Sequence, residues 1–363
     1  NEETSTSFRV PECTPMRMST SAVRSIPAVT RLSVIRNSRK SGSILLFIHG
    51  FSLAHTIRPL VVGKSLRRRG YAVWFAGRGP HTGRIAAEGF EVRDVLTMPQ
   101  CRIDRCVQQG DYSYYDADWI EACVEAERSL IRQVKPDLVV HDMKPTAKLA
   151  ARMEGIDVAE VIQGYGHPEY RADLMDREAG ALRMDAKPFA DFAVVRRSAL
   201  RDHRVMRFVA DVPEFHPPEG AASGYHFVGP LLDEPEEPDS VELLDSGWDL
   251  SLPLVYMTCG SSGRVPDFIP ELMRAFEGEP LRLLVTTAGR WQSADSDNVR
   301  VRDFVPGNWV LRRAQILVGV VGSGAIYQAL AAGVPIVGSP EHLDQEYHLN
   351  RVEALGLGMK LNR

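Results

Sequence analysis

The chain has 363 residues, 44% of them hydrophobic and 25% charged, and a formal net charge of -4 at pH 7. That length accommodates two domains with full-sized cores, the composition is that of an ordinary globular protein, and the mild acidity argues against a nucleic-acid binder, which carries a basic domain or stripe. Five cysteines (Cys13, Cys101, Cys106, Cys123 and Cys259) are odd in number, scattered and free of any C-x-x-C spacing, which predicts reduced thiols in a cytoplasmic compartment and no metal site of the zinc type.

The chain begins at Asn1 rather than Met. Residues 13–43 are rich in Ser, Thr, Arg and Pro and poor in acids, so 1–43 reads as a poorly ordered N-terminal extension rather than a transit segment. Order begins at Ile44-Leu45-Leu46-Phe47-Ile48, an apolar run suited to a central parallel strand. A loop over His49 to His55 follows, then a helix with Pro59 in its first turn and Arg67-Arg68-Arg69-Gly70 at its end, where cations meet the negative pole of the dipole. Tyr71 to Ala76 reads as the second strand, Arg84 to Glu88 as a helix, and Phe90 to Val95 as the third strand. Asp116 to Val134 is an amphipathic helix with Trp119, Cys123, Ala126 and Leu130 on one face. A strand over Asp137 to Val140 ends at His141-Asp142, and a helix (Thr146 to Glu154) and a strand (Val158 to Ile162) follow. Between Gln163 and Ala210 the pattern loosens, before a short strand at Tyr225 to Val228.

The stretch 233–252 is acidic, holds Pro235 and Pro238, and lacks apolar periodicity, which marks an inter-domain linker. A second series opens with Leu254 to Thr258, turns through Gly260-Ser261-Ser262-Gly263, and continues with strands at Leu281 to Thr286 and Val299 to Phe304. Then comes the most patterned stretch, Leu311 to Asn350. A strand at Ile316 to Val318 breaks into a turn with Gly319, Gly322, Ser323 and Gly324. A helix over Ala325 to Ala332 ends at Gly333, and a second strand covers Val334 to Val337. This βαβ unit lays small residues at a helix N-terminus, where bare N–H groups and the dipole favour a phosphate. The glycines, Pro335, Gln328 and Ser323 rule out the rival reading of the uncharged segment as a membrane span. Strands alternating with helices in two series predict an α/β chain of two doubly wound, parallel-sheet halves. The predicted domains are 44–232 and 253–363, with the linker between them and a ligand cleft between the carboxyl edges of their sheets.

Four places, in order along residues 44 to 360, carry a resemblance to a known family. They are Ala54-His55-Thr56-Ile57-Arg58-Pro59-Leu60, Tyr225 to Leu232, Tyr256 to Ser262, and Tyr327 to Pro335 with Asp344-Gln345; the Phe304-Val305-Pro306 element precedes the last. The chain resembles the family 1 glycosyltransferases of the GT-B fold, the group that includes bacterial antibiotic glycosyltransferases. The resemblance implies transfer of a sugar from a nucleoside diphosphate to an acceptor hydroxyl, with inversion, without a required metal, and with no cofactor beyond the nucleoside-diphosphate sugar as co-substrate. It places Gly322, Ser323, Gly324 and Ala325 against the phosphates with Ser261 and Ser262 across from them, Phe304 and Val305 toward the nucleobase, and Asp344 and Gln345 on the sugar hydroxyls.

The resemblance makes His55 the catalytic base, because an acceptor O–H must lose its proton as it attacks the anomeric carbon and an imidazole does this near neutral pH. Asp142 is the candidate carboxylate that orients the ring, since strand carboxyl ends converge on one sheet edge; His49 is a rival base and Asp137 a rival acid. The partners expected are a nucleotide sugar and a small, partly apolar acceptor, with no nucleic acid, no transmembrane segment, and a monomer or homodimer as the working form.

Two departures bear on activity. Where the family has a histidine and two glycines leading the phosphate turn, this chain has Val320, Val321 and Gly322, and Ala325 replaces the usual Thr. Loss of one such donor costs on the order of 10²–10³ in rate, so Arg290 or the Ser261-Ser262 turn is the candidate substitute. Only 13 residues follow Asn350, where the family continues through further helices, so the second domain reads as truncated; Ala54 before His55, in place of glycine, is a minor change. A weak or inactive member that binds a nucleotide sugar or a partner, and a nucleotide-sugar epimerase of the same fold, stand as the alternatives.

Overall fold

A computed structural model of the chain describes residues 42–99, 101–102, 116–166, 204–215, 224–233, 248, 251–260, 268–341 and 343–361. Of the acidic stretch, Asp233, Trp248, Ser251 and Leu252 lie within the described residues, and Ser261 and Ser262 lie outside them, as do residues 1–41 of the expected extension. The chain divides into two compact units at Leu231/Leu232.

The first unit runs β1 (Ser43–Phe47), α1 (Ala54–Arg68), β2 (Ala72–Ala76), α2 (Thr82–Ala87), β3 (Val92–Arg93), α3 (Ala117–Val134), β4 (Leu138–Asp142), α4 (Pro145–Glu154), β5 (Asp157–Ile162), β6 (Val205–Val209) and β7 (Tyr225–Phe227). Its seven strands form one sheet in the order β3-β2-β1-β4-β5-β6-β7, and every pairing is parallel. Ile44 to Phe47 are all buried, as expected of a strand with helices on both of its faces. Alternation sorts them. Leu45 and Phe47 join Ile120 and Val124 of α3 and Ala147 and Ala150 of α4 in one cluster, while α1 packs on the other face, where a Cβ on Gly63 would lie 2.5 Å from Phe75. Glycine at position 63 therefore sets how closely α1 approaches the sheet.

The second unit runs β8 (Leu254–Thr258), α5 (Phe268–Phe276), β9 (Arg282–Thr286), β10 (Val299–Arg302), α6 (Gly307–Leu311), β11 (Ala314–Gly319), α7 (Ser323–Ala332), β12 (Ile336–Gly338), α8 (Leu343–Ala354) and β13 (Gly358–Lys360). Its sheet has six strands in the order β10-β9-β8-β11-β12-β13, again parallel throughout. Burial of Val255, Met257, Leu283 and Val285 against Ile269 and Met273 builds its core. In both sheets the strand order reverses once, between β1 and β4 and between β8 and β11, which are the switch points where doubly wound sheets take ligands. Each unit is therefore an α/β, Rossmann-like layer arrangement around one parallel sheet.

Several boundaries differ from the sequence reading. Pro59 lies inside α1, not in its first turn, because the helix starts at Ala54. The buried stripe of α3 is Ile120, Cys123, Val124, Glu127, Leu130 and Ile131; Trp119 and Ala126 are its half-buried flanks. The third strand shrinks to Val92–Arg93. β6, α6 and β13 were not anticipated; β6 hides in the stretch that lacked pattern, because Arg207 interrupts its apolar run. Among the described residues no helix is long and apolar enough to cross a membrane, and Cys101, Cys123 and Cys259 are free thiols.

Candidate active site

The first switch point is populated by charged side chains. β4 ends at Asp142, whose carboxylate is wholly buried, and α1 presents His55 in its first turn. Nδ1 of His55 lies 2.8 Å from Oδ1 of Asp142, and the imidazole side chain remains 22% exposed. That combination leaves one edge of the ring on a fixed carboxylate and the rest open to approach. The sequence reading set His55 in a loop; it stands on the helix, where its backbone is fixed by α1.

Arg58, one turn further along α1, was overlooked by sequence reasoning except as part of a motif. Its guanidinium is buried and forks onto Asp142, with Nε donating to Oδ2 at 2.6 Å and Nη2 to Oδ1 at 2.9 Å. Nη2 also lies 2.7 Å from Nδ1 of His55. The i, i+3 spacing from His55 on a helix was the available signal. Burial raises the Asp142 carboxyl, but the Arg58 guanidinium and the His55 ring outweigh it and hold the group well below the ordinary carboxylate range. The tautomer decides which contact to Nδ1 is a hydrogen bond. A proton on Nδ1 is donated to Asp142 and leaves Nε2 as an acceptor; a proton on Nε2 leaves Nδ1 to accept from Arg58.

The rivals are placed elsewhere. His49 follows β1 and is buried, its ring centroid 6.3 Å from that of His55; neither ring nitrogen has a hydrogen-bond partner among the described residues. Burial first, then the nearby His55 and Lys144, push its imidazole down to about 3. It is neutral, but enclosed. Asp137 sits at the opposite end of the sheet, accepting from the backbone N and Oγ of Ser43 at 2.7 and 2.9 Å. Directly after Asp142, Met143 takes a left-handed φ of 48° and stays 45% exposed, a conformation that costs a non-glycine residue on the order of 1 kcal/mol.

The loops after β1 and β2, with α2 and β3, line an open cavity of about 450 Å³ whose walls include Phe51, Pro80, Thr82 and Val92. The Arg78–Asp94 pair forms another part of the wall, with Nε and Nη2 donating at 2.8 and 2.6 Å. Both members are largely exposed, so the pair adds polarity more than stability.

The second switch point is built of backbone. Gly319 ends β11 at φ +117°, where a Cβ would lie 2.2 Å from the Thr258 carbonyl oxygen; only glycine brings β11 this close to β8. Gly322 is the N-cap of α7 and has no side chain with which to cap it. A helix N-terminus presents N–H groups that lack intrahelical acceptors, and a Cβ built on Gly322 or Gly324 meets nothing within 4 Å. Ser323, Gly324 and Ala325 are half-exposed around this opening.

Val320, which stands where the family resemblance would place an imidazole, and Val321 after it are 0% exposed. Val320 packs on the turn after β8, its Cγ1 3.0 Å from where a Cβ of Gly260 would stand. The position faces inward, so no side chain there reaches the opening. Arg290 is no replacement donor: it is buried, and its Nη2 donates to the carbonyls of Cys259 and Gly260, bracing that turn.

The remaining candidates divide. Phe304 is half-exposed after β10, whereas Val305 is 1% exposed and packs inside the unit. Asp344 lies in the first turn of α8 and is half-exposed; its carbonyl oxygen lies 2.6 Å from Nδ1 of His348. Gln345 is buried, and its Oε1 accepts from the Glu341 backbone N at 2.7 Å, so that amide holds the β12–α8 turn together.

The family model described as UDP-glucoronosyl and UDP-glucosyl transferase matches residues 254–363. A PGL/p-HBAD biosynthesis glycosyltransferase of Mycobacterium tuberculosis is 26% identical over 351 residues, covering 87% of this chain and 80% of that protein. A PGL/p-HBAD biosynthesis rhamnosyltransferase of Mycobacterium bovis is 28% identical over 354 residues, covering 88% and 76%. Among solved structures, the glycotransferase of kitacinnamycin superposes with a TM-score of 0.69 at 20% identity, covering 89% of this chain and 87% of that one. The Streptomyces glycosyltransferase SsfS6, solved with thymidine diphosphate, gives 0.62 at 17% identity, covering 88% and 87%. The two structures share the fold; the sequence relatives and the family model, together with the motifs on β8, β11 and α7, carry the assignment. The family model over residues 254–363, the mycobacterial relatives and the shared fold together support a family 1 glycosyltransferase of the GT-B fold.

Proposed function

We propose that this glycosyltransferase moves a hexose from a nucleoside-diphosphate sugar to a hydroxyl of a small, partly apolar acceptor, by inversion and without a metal. The observation that carries the proposal is the 2.8 Å contact between Nδ1 of His55 and the buried carboxylate of Asp142. With the Nδ1 proton donated to Asp142, Nε2 of His55 takes the acceptor hydroxyl's proton as that oxygen attacks the anomeric carbon. The new C–O bond forms as the bond from the anomeric carbon to the diphosphate oxygen breaks, so the electron pair leaves with the diphosphate. The imidazolium that results is paired with Asp142.

The leaving diphosphate gains charge and needs donors that are already in place. On this reading the first-turn N–H groups of α7, uncovered at Gly322 to Ala325, supply them in place of a metal. The half-exposed Asp344 carboxylate suits a sugar hydroxyl, whereas Gln345 is engaged with Glu341 and holds Asp344 in register. The rhamnosyltransferase relative and the thymidine diphosphate complex of SsfS6 support a UDP- or dTDP-linked hexose as donor. The cavity beside Phe51, Pro80 and Val92 supports an acceptor with an apolar body.

A second reading has one observation in its favour: Val320 is buried where the family carries its phosphate-turn histidine. A member with a reduced donor set binds a nucleotide sugar and turns it over slowly or not at all. Thermal shift with UDP, dTDP and their hexose conjugates, followed by transfer assays on wild type and His55→Ala, tests both. A ligand at about 100 times its Kd stabilises the native protein by about 2.7 kcal/mol. The proposal requires a shift with at least one of these nucleotides and turnover that depends on His55; a shift without turnover supports the second reading.

A further inference from the structure

Nothing in the reaction just described assigns a role to Arg58, although it makes the shortest contacts in the site. Its fork occupies both oxygens of Asp142, at 2.6 and 2.9 Å, while the same Nη2 stands 2.7 Å from the His55 ring nitrogen. Oδ1, Nη2 and Nδ1 thus close a triangle with sides of 2.8, 2.9 and 2.7 Å. We propose that Arg58 is the positioning residue of the base: it fixes the angle at which Asp142 meets His55 and offsets the carboxylate's charge, so that the ring can take up the acceptor's proton and still release it.

A ring facing a lone buried carboxylate gains a strong ionic bond when protonated and holds that proton. A base that cannot release its proton is spent after one turnover. With Arg58 in place the carboxylate and the guanidinium sum to zero, and the ring meets a dipole instead of a net charge. The fork also removes Asp142's freedom to rotate, because a bidentate guanidinium fixes the carboxylate plane. Other titratable groups facing the pair are His49, after β1, and Lys144, after β4, both buried. His141, the residue before Asp142, belongs to the opposite face of the sheet, with its Nε2 3.9 Å from Glu160. His81, the N-cap of α2, and Arg84 within it are neighbours of each other. None of these touches both oxygens of Asp142.

The inference rests on His55 as base, and its test is chosen to fail separately. The protonation of the His55 ring in the full-length protein is followed by NMR against pH, with the signal assigned by its loss in His55→Ala. Wild type, Arg58→Gln, Arg58→Lys, Asp142→Asn and the double variant Arg58→Gln/Asp142→Asn are compared. Arg58→Gln is expected to move the midpoint up by about one pH unit or more, the size of a nearby buried charge. Arg58→Lys, which keeps the charge and loses the fork, should move it less. Asp142→Asn should move it down, and removing Arg58 in that background should bring it back toward wild type. If Arg58→Gln fails to fold, the comparison of Asp142→Asn with the double variant gives the same coupling. A midpoint unmoved by loss of Arg58 in either background overturns the inference and leaves a purely structural arginine. Unchanged transfer by His55→Ala would instead overturn the reading on which the inference rests, whatever the titrations show.

Discussion

The two switch points solve different chemical problems with different parts of the chain. At β1/β4 the working groups are side chains: an imidazole, a buried carboxylate and a buried guanidinium, mutually in contact. At β8/β11 they are backbone, exposed because Gly319, Gly322 and Gly324 have no Cβ in the way. A base must change protonation within each cycle, and side chains supply groups that titrate. A diphosphate needs fixed donors that do not titrate, and amide N–H groups at a helix N-terminus supply those. On the proposed reading, the same sheet topology positions a proton acceptor in one unit and an anion cradle in the other.

This contrast predicts which property each substitution breaks. Asp142→Asn should lower transfer by about 10²–10⁴-fold, the usual worth of general-base catalysis. Its nucleotide-induced thermal shift should survive, and a loss of both would show that the two units are not separable in this way. Gly319→Ala should do the reverse. Its Cβ would lie 2.2 Å from the Thr258 oxygen, so destabilisation of roughly 3 kcal/mol or more is expected, with loss of nucleotide binding, read by thermal unfolding with and without UDP or dTDP. Val320→His restores the family residue by name, yet it places an imidazole in a fully buried position. It should destabilise by about 1–3 kcal/mol and give no gain in turnover; a faster enzyme would mean that the side chain reaches the diphosphate after all.

The smallest expected effect is a change in pH dependence. Glu127 is fully buried beside Lys144, whose Nζ stands 3.2 Å from its Oε1. Burial raises its carboxyl from 4.5 to about 7, against the pull of Lys144 and Thr146. A folded-state value above the unfolded one means that the native protein binds this proton more tightly, so the contribution is fully present below about 4.5 and is lost as pH rises through about 7. Glu127→Gln should therefore remove a decline in Tm between those limits relative to wild type, with no effect on nucleotide binding. An unchanged difference in Tm across that window would show that Lys144 keeps the carboxylate ionised.

How much of this could be read from residues follows from where the signals are local. Period and glycine spacing marked β1, β8, β11 and α7, and with them both switch points, because apolar runs between turns are a property of short segments. The pairing of His55 with Asp142 was anticipated across 87 residues, since the ends of parallel strands converge whatever lies between. Arg58 was not singled out, because a buried arginine is recognised by its partner, and the partner's burial is a tertiary fact. Val320 shows the opposite failure. Aligned by motif it stands for a ligand-facing residue, but packing against the Gly260 turn directs it inward. Val305 and Gln345 behave likewise, chosen by resemblance and found committed to the interior. β6 escaped notice because an arginine broke its run, although the sheet needs it between β5 and β7.

On the proposed reading, His55, held by Asp142, is the base for sugar transfer. The most direct test is the rate of sugar transfer by His55→Ala from a UDP- or dTDP-hexose that shifts the wild-type melting point, assayed with the donor saturating. The rate is expected to fall by about 10²–10⁴-fold, with the nucleotide-induced shift retained. Transfer at the wild-type rate would contradict it.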